Sequence, residues 1–165
     1  MTGRSQPPGA AEAGAAEQVW MDEAIRLAEQ ARGRTGDNPW VGCVIVRGGE
    51  VLGRGFTHPP GEDHAEAAAI RQAREAGVSL AGATLVCTLE PCSFEGRTPA
   101  CARTIADSGV VRVVFGIRDP HPRVNGAGVR ILREAGVEVC EGLRQQEIRA
   151  QLAEWLSGHA SSLDA

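Results

Sequence analysis

His64, Glu66, Cys92 and Cys101 place an imidazole, a carboxylate and two thiols within one short stretch of a soluble-looking chain, in the segments "DHAEAAAI" and "TLEPCSFEGRTPAC". Cys92 and Cys101 lie among Pro, Gly, Ser and Thr, where packing does not account for a thiol. One imidazole and two thiolates form a borderline-soft donor set suited to Zn²⁺. Three protein ligands leave a fourth tetrahedral position for water, the pattern of a catalytic zinc; structural sites are closed by a fourth side chain. Water bound there loses a proton near neutral pH. Glu66 follows His64 by two residues, which on a helix turns the two side chains roughly 200° apart. It need not bind the same ion and can stand beside the water as a proton carrier.

The elements that must position these groups alternate regularly. Trp20, Ala24, Ile25, Leu27, Ala28 and Ala31 give a helical stripe over about 17–31. "VGCVIVR" and "VLGRGFT" flank "GGE" as a hairpin. "HAEAAAIRQAREAG" reads as a helix ended by Gly77. Then come the strand "ATLVCTLE", the helix "CARTIADSG", the strand "VVRVVFGI", the helix "VRILREAG", the short strand "VEVC" and a final helix, "RQQEIRAQLAEWL". A hairpin followed by strand–helix alternation predicts a three-layer α/β/α domain on a mixed five-stranded sheet, its later strands joined by parallel crossovers. In such sheets chemistry gathers at strand ends and helix starts. His64 and Glu66 begin a helix, Cys92 follows a strand, and Cys101 opens the next helix.

Composition bounds the rest. The chain has 165 residues, 42% hydrophobic and 23% charged, as expected for one domain with one core. The expected division is a disordered lead over 1–17, a single domain over 18–157 and a tail over 158–165. The first residues lack the apolar run of a secretory signal, and no apolar stretch is long enough to span a bilayer. A cytoplasmic protein without membrane contact is expected. Five cysteines, an odd number, argue against a disulfide framework. Cys43, Cys87 and Cys140 sit in apolar runs as small buried hydrophobes. A net charge of -4, no Tyr and only three each of Trp and Phe speak against a nucleic-acid partner. The charge is uneven: residues 92–130 hold six Arg against three acids, a local cationic region that could meet a small anion such as a phosphate or remain a solvated mixed surface.

The His-x-Glu, Pro-Cys and downstream Cys together resemble the zinc-dependent nucleobase deaminases of the cytidine-deaminase-like fold. The nine-residue step from Cys92 to Cys101, with "GRTP" inside it, resembles the diaminohydroxyphosphoribosylaminopyrimidine deaminases of the riboflavin pathway. "DNPWVGCVIV", "GEDHAE", "TLEPC" and "RDPHPRVNGAG" match that family too, so the resemblance covers Met21 to Leu143. It implies hydrolytic deamination of a diaminopyrimidinone bearing a ribosyl 5-phosphate, with release of ammonia. It assigns zinc to His64, Cys92 and Cys101 and the acid/base role to Glu66. It assigns substrate contacts to Asn38, Arg97, Thr98, Asp119, His121 and Arg123. Read without the family, Asn38 is a turn residue before Pro, "GRTP" is a turn, and the last three are loop residues. The chain departs from the family pattern at Thr57, Phe94, Glu95 and His121, near the expected ribose-phosphate grip. Many bacterial members continue into a nicotinamide-dependent reductase domain; no dinucleotide fingerprint is present here, and a stand-alone deaminase is expected. The resemblance also implies a homodimer or homotetramer, with Trp20, Trp155 and Leu156 packing on the core or on a neighbour. The alternatives are a deaminase of the same fold acting on another base, nucleoside or amidine, and a non-catalytic zinc-stabilised binding module. Glu66 argues against the module, which needs no proton carrier.

Overall fold

The computed structural model describes residues 14–93, 100–120 and 125–163. The elements run α1 (Ala15–Ala31), β1 (Gly42–Arg47), β2 (Glu50–Phe56), α2 (Ala65–Glu75), β3 (Thr84–Leu89), α3 (Cys101–Ala106), β4 (Arg112–Ile117), α4 (Ala127–Glu134), β5 (Glu138–Glu141), α5 (Gln145–Gln151) and α6 (Ala153–Leu163). The sheet order is β2-β1-β3-β4-β5. β1 pairs antiparallel with both β2 and β3, whereas β3/β4 and β4/β5 are parallel. This is the mixed five-stranded sheet expected from the sequence. The hairpin supplies the antiparallel edge, and α3 and α4 lie in the parallel crossovers.

Both faces of the sheet are covered, which is why β1, β3 and β4 are almost continuously apolar and buried. The glycines show which helix covers which face. A Cβ on Gly42 would point at Ala24 O of α1, and one on Gly116 at Ile148 of α5. On the opposite face, Cβ atoms on Gly53 and Gly55 would run into Ala69 O and Ala65 O of α2. So α1 and α5 cover one face and α2 the other, with α3 and α4 packed against each other and α3 against α2. The helices lie so close to the strands because no side chain intervenes. Gly42→Ala should therefore cost about 1–3 kcal/mol of stability, and toward the upper end, because the added methyl would stand 1.8 Å from a backbone oxygen rather than a movable side chain. Urea unfolding of the variant against wild type would read this out.

The sequence predicts one final helix, and the structure has two. The break falls at Leu152, with φ -96 and ψ 12. The carbonyl of Gln151 accepts the indole N–H of Trp40 at 3.1 Å and the guanidinium of Arg32 at 2.9 Å. Leu152 itself is fully buried, so the turn swings the chain while keeping its apolar side on the core. Trp155 is buried, with its indole N–H donating to Asp37 O at 3.1 Å, and Trp20 and Leu156 pack on the core from its rim.

Candidate functional site

The site is built where β3 ends and where α2 and α3 begin. His64 is the N-cap residue of α2, with extended backbone, and Glu66 lies in that helix's first turn. Cys92 follows β3 by three residues, and Cys101 is the first residue of α3. The expected pattern of strand end and helix starts therefore holds for all four groups.

His64 Nδ1 stands 3.6 Å from Cys92 Sγ and 3.5 Å from Cys101 Sγ. All three ligand atoms lie within 4.8 Å of one another. In tetrahedral coordination, a zinc–nitrogen bond of about 2.0–2.1 Å and a zinc–sulfur bond of about 2.3 Å span an edge of about 3.6 Å. The donor set and its spacing therefore fit such an ion. The Cys101 backbone N–H donates to Cys92 Sγ at 3.2 Å, which fixes that sulfur and favours its anionic form. The hydrogen bond between the two thiols, helped by His64, holds Cys92 well below the ordinary thiol range, while the same bond, with burial, raises Cys101. The hydrogen bond with Cys92 raises the His64 imidazole.

Glu66 is only 4% exposed. Burial raises its carboxyl, and the neighbouring Cys92 adds to the shift. A carboxylate made more basic in this way is better matched to moving protons near neutral pH. Beneath it, on the α2 face of the sheet, Cys43 and Cys87 face each other across β1 and β3, both fully buried and raised by burial. They are core thiols, as is the buried Cys140.

A pocket of about 160 Å³ opens over this cluster, lined by Asn38, Thr57, His64, Glu66, Glu90, Cys92 and Asp119, with Pro39, Val41 and Leu89 as its apolar walls. It contains two of the residues given substrate roles from sequence, Asn38 and Asp119. Asn38 also stands in a turn: its backbone N–H donates to Thr35 O at 3.0 Å, and Thr35 Oγ1 donates to Asn38 O at 2.6 Å. Arg97, Thr98, His121 and Arg123 lie outside the described residues, as do Phe94 and Glu95.

Of two further pocket residues, Thr57 enters the sequence reading only as a departure from the family pattern, and Glu90 has no role in it. Thr57 is 4% exposed, and its hydroxyl accepts from Val41 N–H at 3.0 Å. Glu90, 3% exposed, stands inside the "TLEPC" motif and accepts backbone N–H groups from Asp119, Gly126, Gly128 and Val129. The motif marks Glu90 as part of the site; its side-chain hydrogen-bond partners among the described residues are backbone amides, which leave no signal in the sequence.

Sheet order, helix layers and the His–Cys–Cys cluster with an adjacent buried glutamate define the cytidine-deaminase-like fold. The family model for the cytidine and deoxycytidylate deaminase zinc-binding region matches residues 15–117, and the chain belongs to that family. Within it, the chain is 45% identical over 131 residues to the riboflavin biosynthesis protein RibD of Escherichia coli (strain K12), covering 79% of this chain and 35% of the relative. Its fold matches a diaminohydroxyphosphoribosylaminopyrimidine deaminase/5-amino-6-(5-phosphoribosylamino)uracil reductase of Thermotoga maritima with a TM-score of 0.83 at 40% identity, over 89% of this chain and 42% of that one. The Acinetobacter baumannii RibD gives a TM-score of 0.81 at 42% identity, over 87% and 39% of the two chains. The chain thus spans about a third of the length of the curated relative and about two-fifths of each solved one. Among the described residues no helix is long and apolar enough to cross a membrane.

Proposed function

We propose that this chain is a zinc-dependent hydrolytic deaminase of an aminopyrimidine, and that its substrate is the phosphoribosylated diaminopyrimidinone of riboflavin biosynthesis. The observation that carries this reading is the convergence of His64, Cys92 and Cys101 around one point, with buried Glu66 lining the same pocket. His64, Cys92 and Cys101 hold the ion. When bound, zinc supplies a Lewis acid that makes water nucleophilic near neutral pH.

The chain's own groups do the rest. Glu66 takes one proton from the attacking water and delivers it to the ring nitrogen, then carries the second, from the oxygen now bonded to carbon, to the departing amino group. A carbon–oxygen bond forms and becomes the carbonyl, the carbon–nitrogen bond breaks, the ring nitrogen keeps the first proton, and ammonia leaves with the second. Asn38 holds the pyrimidine edge, and Val41 and Leu89 flank the ring and limit water. Arg97, Thr98, His121 and Arg123 take the phosphate, and Asp119 accepts from the ribosyl hydroxyls. The enzyme is a cytoplasmic homodimer or homotetramer that uses no nucleic acid, and its working domain covers 18–157.

Thr57 favours a second reading, another aminopyrimidine as substrate. Its hydroxyl accepts from Val41 N–H at 3.0 Å and lies 3.5 Å from Val41 O, so the backbone takes up part of its bonding capacity. A panel of phosphorylated and unphosphorylated aminopyrimidines, offered to zinc-loaded protein and scored for ammonia, separates the two. The phosphoribosylated diaminopyrimidinone should be favoured over its dephosphorylated form by at least about tenfold in kcat/KM, the worth of one charge-assisted hydrogen bond. A preference for an unphosphorylated base would support the second reading. No ammonia from any member would overturn both.

A further inference from the structure

The first turn of α4 has no cap of its own. Its N-cap residue is Gly126, in the left-handed region at φ 81, with no side chain to offer. Such a turn leaves N–H groups without intrahelical partners. Here the missing acceptor comes from another element. Glu90 Oε1 accepts from Gly126 N at 3.0 Å and Asp119 N at 3.2 Å. Oε2 accepts from Gly128 N at 3.1 Å and Val129 N at 3.3 Å. One buried carboxylate thus gathers both ends of the loop that joins β4 to α4.

A second observation is independent of these bonds. A Cβ on Gly128 would stand 2.0 Å from Pro91 O, so the start of α4 lies directly against the backbone between Glu90 and Cys92. The Glu90 amide in turn donates to Ile117 O at 2.9 Å, at the end of β4. The segment that carries Cys92 and the loop that carries Asp119 are therefore clamped together, and both face the pocket.

We propose that Glu90 is a positioning residue: through four backbone amides its carboxylate sets the Asp119 wall of the pocket at a fixed distance from the metal ligands. It touches neither the metal cluster nor the reacting atoms in this role. Loss of the clamp lets the wall drift, which weakens the hold on substrate and leaves the His64–Cys92–Cys101 cluster and Glu66 in place. A group that serves only overall stability would instead lower the fraction of folded enzyme, and with it apparent kcat and zinc content, at constant KM.

The test is Glu90→Gln, whose amide keeps the shape but turns a donor toward two of the four N–H groups. Hydrogen exchange of wild type and variant is followed by peptide mass spectrometry, with KM, kcat and zinc content measured on the same preparations. Exchange should quicken at least about tenfold across 118–129 and stay unchanged in α2, as expected when buried hydrogen bonds are lost locally. KM should rise at least about tenfold with kcat within about threefold and zinc retained. Unchanged exchange, or quickened exchange at unchanged KM, overturns the proposal. If Glu90→Gln does not fold, Glu90→Asp, which keeps the charge but withdraws it by one methylene, is judged by the same criteria. The kinetic arm rests on the deaminase reading above. Should wild type deaminate no aminopyrimidine, that reading falls, and the exchange arm, which needs no substrate, decides alone: loosening confined to 118–129 supports the clamp, and none overturns it.

Discussion

Glu66→Gln should leave the chain folded and loaded with zinc while lowering kcat by about 10²–10⁴-fold, the range a positioned acid/base supplies. Gln has nearly the same shape as Glu and fills the same buried space, at a position only 4% exposed, so packing is preserved. It cannot accept a proton from water and hand it on. The three residues proposed to hold the ion, His64, Cys92 and Cys101, keep their own donor atoms. Nor should the metal-free variant be less stable than metal-free wild type. Burial raises the Glu66 carboxyl, so the folded protein holds that proton more tightly than the unfolded chain does. Above the ordinary carboxylate range the ionised form then opposes folding, and a neutral amide removes that cost. Ammonia release, zinc analysis and thermal unfolding on the same samples would check all three points. Equal turnover in the two proteins would remove Glu66 from the mechanism.

The convergence of His64, Cys92 and Cys101 was legible because their chemistry is carried by residue type. Two thiols in a loop of Pro, Gly and Thr have few reasons to be there, and the structure brings both to within 3.6 Å of the His64 ring nitrogen. The fold was legible for a related reason: an apolar hairpin followed by strand–helix alternation leaves few ways to cover both faces of one sheet. What escaped depends on long-range backbone contacts. The division of the last helix into α5 and α6 follows from Trp40 and Arg32 taking the Gln151 carbonyl, across separations of 111 and 119 residues. No local pattern in "RQQEIRAQLAEWL" announces it. Glu90 is the same kind of case, its four partners being amides 29 to 39 residues downstream. Any residue but Pro can supply an amide, so the composition of "RDPHPRVNGAG" carries no trace of the carboxylate that holds it.

Cys101→Ser should abolish tight zinc binding, and the loss should appear in stability before any substrate is added. Cys101 is 2% exposed at the first position of α3, so a hydroxymethyl group fits the space with little disturbance to the metal-free fold. It is, however, a harder and shorter donor that is not deprotonated near neutral pH, and replacing one of only two thiolates removes much of the set's preference for zinc. An affinity loss of at least about 10³-fold is expected, equivalent to about 4 kcal/mol of ligand-linked stabilisation when zinc is in excess. Two measurements carry this. Competition with a chelating dye gives the affinities directly. Thermal unfolding with and without chelator gives the linkage: wild type should melt lower once its metal is stripped, whereas the serine variant should melt near the stripped value either way. A variant that still held one zinc with wild-type affinity would show that Cys101 is no ligand. A wild-type midpoint indifferent to the chelator would mean that no ion joins the start of α2 to the start of α3. The cluster of His64, Cys92 and Cys101 would then be a hydrogen-bonded core feature, and Glu66 a buried acid with no nucleophile to serve.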